Sequence, residues 1–157
     1  MDLQKSNLWL LIQKKGLVII TGCAHPGIVN IVKRTEELMK RDKVYLVLGG
    51  FHHPPLSCVK EFKELGVEKV APSHCTGDLA REAFRKEYKE NFIEYGVGKI
   101  IEIKWNEIHQ FTLRLTADKR LTALRLFAQI PCLRVGLRLS AYARRSPSVR
   151  QKIFVII

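Results

Sequence analysis

Three short turns constrain this chain more than any other feature of its sequence. Residues 21–27 read TGCAHPG, residues 49–53 read GGFHH, and residues 73–78 read SHCTGD. Each follows an apolar run too short for a buried helix and precedes a stretch with helical periodicity, so each is a strand-turn-helix unit with glycine at the corner. Three such units in succession predict a layered α/β domain containing parallel strands. In that architecture the turns after parallel strands line up along one edge of the sheet, where ligands collect.

The elements around the turns follow from the pattern of apolar residues. Residues 8–13 and 17–21 read as two strands joined across Lys14-Lys15-Gly16, a hairpin-like turn. Residues 27–40 place Ile28, Ile31, Val32 and Leu38 on one face and Lys33, Arg34, Glu36 and Glu37 on the other, a helix opened by Pro26. Residues 44–48, VYLVL, are a buried strand. A helix over 57–65 stops at Gly66, a strand covers 67–71, a third helix covers 78–90, and Ile93 with the run VGKIIEI supplies closing strands.

Bulk properties narrow the class of molecule. The length of 157 residues, 46% apolar and 27% charged, suits a folded domain with a real core. No apolar run reaches the roughly 18 residues of a membrane span, and the N-terminus does not read as a signal peptide. The four cysteines, Cys23, Cys58, Cys75 and Cys132, are too few and too uneven for a disulfide framework. Two of them stand beside histidines, which fits free or metal-bound thiols in a reducing cytoplasm. The net charge of +12 is unevenly spread: residues 1–103 carry +3 and residues 104–157 carry +9.

Ions such as zinc are held by imidazoles, carboxylates and thiolates delivered from separate loops to one point. His25, His52 and His74 each stand at the end of an expected strand, beside glycines that permit a sharp turn. Cys23 and Cys75 offer thiolate ligands or supporting groups, and Asp78 offers a carboxylate to orient an imidazole. Taken singly, each histidine is more often a hydrogen-bonded turn residue than a ligand, and each cysteine more often a small buried filler; it is three in succession at equivalent strand ends that favour a metal. His53, before Pro54-Pro55, reads as a loop residue, and His109 receives no role.

The strings KGLVIITGCAHPGIVNIV, VLGGFHH, FKELGVEKVAPSHCTGD and FIEYGVGKIIEI together resemble the C-terminal half of a metallo-β-lactamase-superfamily metal-dependent hydrolase. The branch resembled is β-lactamase superfamily II, with its dihydropterin-ribofuranosylaminobenzene phosphate synthase-like enzymes. The resemblance covers about residues 2–103. It implies an α/β fold that is half of an αββα sandwich, a mixed sheet with helices on one face. It also implies a centre of one or two metals, usually zinc, that activates water against a small-molecule substrate. Carried over by position, His25 and His74 are metal ligands, His52 is a third group, and Cys23 stands where many relatives place an acid. The superfamily's His-x-His-x-Asp-His string is missing from these residues.

Two regions are therefore expected: a half-domain over 1–103 and a basic tail of uncertain structure over 104–157. The tail mixes leucine and arginine without a clean period and is interrupted by Pro131 and Gly136. A truncated, split or frameshifted product accounts for both ends, and leaves the activity of the chain alone in doubt. A homodimer or a separate N-terminal half then completes the sandwich and covers an otherwise bare apolar sheet face. The alternative is a non-catalytic remnant, or a binding module acting through the tail's arginines. Nucleic acid is not expected as partner, because the tail offers neither stacking aromatics nor a reading helix.

Overall fold

The structure is a computed structural model that describes residues 6–96, 98–104, 109–115, 121–126 and 152–156, with side chains over 8–96 and 98–101. β1 (Ser6–Gln13) and β2 (Gly16–Cys23) form an antiparallel hairpin in which Gln13 faces Gly16. α1 (Ile28–Met39) returns the chain to β3 (Val44–Gly50), which runs parallel to β2. α2 (Ser57–Glu64) then leads to β4 (Lys69–Pro72), parallel to β3, and α3 (Asp78–Tyr88) follows. The expected α/β arrangement, a mixed sheet with helices on one face, is present.

β2 and β3 run two residues further than their apolar runs suggest, so the strands deliver their backbone directly into the turns. β4 starts later than expected because the amide of Val67 donates to Phe62 O at 3.0 Å and finishes α2 instead of joining the ladder. α3 ends early, where Lys89 takes a left-handed φ of 48°.

Beyond residue 99 lie β5 (Ile100–Lys104), β6 (His109–Leu115), β7 (Leu121–Leu126) and β8 (Lys152–Ile156). β6 pairs antiparallel with the free edge of β1 and β7 pairs with β6, giving a sheet ordered β4-β3-β2-β1-β6-β7. β5 and β8 form a separate antiparallel pair. The tail's sequence shows no strand period, yet its backbone extends the main sheet. An open edge recruits a strand through backbone N–H and C=O groups, whatever the side-chain pattern.

Alternation along the strands buries both sheet faces. Leu8, Leu10, Leu17, Ile19, Val47 and Val70 face the helices and pack with Ile28, Ile31, Phe62 and Phe84. Leu11, Val18, Leu46, Leu48 and Ala71 occupy the opposite face and are buried with Ile101 of β5. Phe51, Phe62 and Phe84 form an aromatic knot under the turns, with ring centroids 5.3 to 5.7 Å apart. The outer edge of β4 is closed by Phe92 and Ile93, the latter donating to Val70 O at 2.8 Å. Among the described residues, no helix is long and apolar enough to cross a membrane.

Candidate metal centre

The three turns meet because each is stitched to the next through the backbone. Ala24 N–H donates to Gly50 O at 3.0 Å, and Ser73 N–H donates to Gly49 O at 2.8 Å, so the GGFHH turn is gripped from both sides. Side chains reinforce the seam: Thr21 Oγ1 donates to Gly50 O at 3.2 Å, and Phe51 N–H donates to Thr76 Oγ1 at 3.3 Å. Gly49 sits at φ 121°, and a Cβ there would collide with the backbone of Thr21, a conformation and a clearance that only glycine meets. Gly50 faces Cys23 across the β2–β3 ladder, and a Cβ there would collide with Cys75 Sγ and Gly22 O. The missing side chain of Gly50 is the space into which the Cys75 sulfur fits.

Three potential donors gather at this seam. The ligand atoms of Cys23, His52 and Cys75 all lie within 4.8 Å of one another. Cys23 Sγ is 3.1 Å from Cys75 Sγ and 3.2 Å from His52 Nδ1. The two cysteines are half-buried and His52 is exposed, so the cluster opens to solvent at the rim. The backbone amide of His52 also donates to Cys75 Sγ at 3.3 Å, and the amide of His53 donates to Cys75 O at 2.8 Å. His52 and His53 hold these positions in consecutive left-handed conformations, φ 53° and 47°. Such a backbone is uncommon for non-glycine residues and persists only when the surroundings enforce it.

The remaining expected residues border this group. The His25 ring stands edge-on to His52, centroids 4.2 Å apart. The His74 ring abuts Gly50 and shares a 3.1 Å contact between Nδ1 and Ser73 Oγ, but its nitrogens are outside the three-donor cluster. His53 packs against Gly77 and so braces the SHCTGD turn as well as its own. Asp78 opens α3; among the described residues no hydrogen bond ties it to an imidazole. Cys75, read from sequence as either ligand or support, belongs to the cluster, its sulfur against that of Cys23. The signal for it was its place immediately after His74 in a glycine-bearing turn.

Protonation in the cluster follows from crowding. Burial, the hydrogen bond with Cys75 and that thiol's charge push Cys23 up to about 11. Desolvation, then the neighbouring His25 and His53, hold His52 below the ordinary histidine value of 6.5. The shift favours the neutral imidazole, the form that can donate a lone pair to a metal. Two thiols and an imidazole within reach of one point fit a borderline-soft ion such as zinc. The tail's arginines and His109 lie outside the described side chains.

No family profile matches the chain. It is 43% identical over 98 residues, 59% of its length, to 7,8-dihydropterin-6-methyl-4-(beta-D-ribofuranosyl)-aminobenzene-5'-phosphate synthase of Methanocaldococcus jannaschii. It is 37% identical over 92 residues, 55% of its length, to an uncharacterised protein of the same organism. The chain spans about a third of the length of each curated relative, 33% and 34%. A solved structure of a metal-dependent hydrolase of the β-lactamase superfamily matches at 38% identity and a TM-score of 0.46, covering 54% of this chain and 35% of that one. Over more than half its length, this chain is thus similar to about a third of a dihydropterin-ribofuranosylaminobenzene phosphate synthase.

Proposed function

We propose that the chain contributes one side of the metal centre of a β-lactamase-superfamily hydrolase acting on a small-molecule substrate. The observation that carries this reading is the convergence of Cys23, His52 and Cys75 from three separate strand-ending turns. In the proposed centre these three hold zinc, with His25 and His74 as the flanking imidazoles that complete or orient the set. When bound, zinc supplies a Lewis acid that polarises water or a substrate oxygen. The chain's own groups prepare the site. The His52 amide steadies the Cys75 sulfur, Ser73 fixes the His74 ring, and the edge-on contact with His25 limits rotation of His52.

The His-x-His-x-Asp-His ligands of the superfamily are not among these residues. The proposed hydrolase therefore draws its other ligands from outside these 157 residues. A reducing cytoplasm suits the thiols.

Elemental analysis of the purified chain tests the metal centre. About one zinc per chain is expected, with His52→Ala and Cys75→Ser each weakening retention by about tenfold or more. A chain that purifies metal-free and stays indifferent to added zinc or chelator would sink the reading.

A further inference from the structure

We propose that Cys23 and Cys75 form an oxidant-operated clasp, which a small disulfide such as oxidised glutathione closes into an intramolecular cystine. The closure of the clasp stands on thiol geometry alone; its consequence for zinc rests on the metal centre proposed above.

Three features support the clasp. The two sulfurs already lie 3.1 Å apart, held by separate turns that the backbone locks together. The vacancy beside Gly50 lets Cys75 Sγ approach the end of β2 without displacing backbone. The cluster lies at an open rim with both sulfurs half-buried, so a tripeptide-sized oxidant has access. Cys58 provides an internal contrast: it is fully buried, so no oxidant reaches its sulfur. A thiol closed off in this way is inert to exchange.

The reaction balances as ordinary thiol–disulfide exchange. The Cys75 sulfur, steadied by the His52 amide, attacks one sulfur of the oxidant. The oxidant's S–S bond breaks, and its first half leaves and takes up the Cys75 proton. Cys23 then attacks Cys75 in the mixed disulfide, releasing the second half with the Cys23 proton. Two thiols of the protein are oxidised and one disulfide is reduced to two thiols. The closed clasp leaves His52 alone of the three gathered donors, so zinc is released on oxidation and recaptured on reduction.

The test treats the whole chain with oxidised or reduced glutathione, alkylates the remaining thiols and maps the peptides by mass spectrometry. Zinc retention is measured on the same samples. The expected result is a Cys23–Cys75 cross-link with zinc affinity about tenfold or more lower, restored by dithiothreitol. Bound zinc should slow the closure, and Cys75→Ser should abolish this cross-link. Only mixed disulfides, or a cross-link elsewhere, overturn the clasp. A Cys23–Cys75 cross-link in a chain that takes up no zinc when reduced supports the clasp and overturns the metal centre, so the two failures are distinguishable.

Discussion

The sulfur of Cys23 lies 3.1 Å from that of Cys75, although 52 positions separate them in the chain. Neither side chain reaches the other through its own strand. The contact exists because Gly50, paired with Cys23 across the β2–β3 ladder, has no Cβ where the Cys75 sulfur lies.

Gly50→Ala tests that dependence. The new methyl meets Cys75 Sγ and Gly22 O, so one turn must shift. Overpacking of this kind costs about 1–3 kcal/mol. Zinc titration and a thermal melt should show weakened binding together with a lower Tm. Unaltered affinity would mean the donors gather without the glycine.

Phe84→Ala tests whether the aromatic knot supports the turns. Phe84 is fully buried and meets both Phe51 and Phe62 edge to face. Truncation should destabilise the fold by about 3–5 kcal/mol. Phe51 directly precedes His52, so zinc affinity should fall as well, measured in a chain still folded by circular dichroism.

Zinc binding should strengthen as pH rises. Cys23 is held up to about 11 by burial and by the Cys75 thiol, so its proton competes with the ion at neutral pH. Each proton displaced contributes about a tenfold gain in affinity per pH unit below the thiol's pKa. Competition against a chelator of known pH dependence should show this slope in the wild type and a shallower one in Cys23→Ser.

Alkali should destabilise the fold through its core rather than its rim. Burial, with Glu61, raises Cys58 from its ordinary 9.0 to about 12, and burial, with Cys58 and Glu87, raises Tyr88 above its ordinary 10.0. Both groups are neutral when protonated. The unfolded chain loses these protons first, so the stabilising contribution is complete below pH 9.0 and falls as pH rises toward 12. Denaturant midpoints at about pH 8 and about pH 10 should differ accordingly, and Cys58→Ala should reduce the difference.

Much of the architecture was legible because it is local. Leu17, Ile19 and Val47 alternate with Val18, Leu46 and Leu48 at the strand period, and Ile28, Ile31 and Val32 repeat at the helix period, so backbone geometry alone assigns their faces. The pairing of β6 with β1 was not legible, because a sheet edge recruits through main-chain groups that side-chain periodicity does not encode.

The sequence by itself determined which turns carry the imidazoles and thiols, and that parallel strands bring those turns to one rim. Only the tertiary structure decided which donors meet: Cys75 beside Cys23 and His52, with His25 edge-on and His74 at the border. The reason is that side-chain direction at a turn depends on individual φ angles and on clearances across the sheet. The left-handed pair His52-His53 and the vacancy at Gly50 are enforced by neighbours distant in sequence, and no local pattern of residues specifies them.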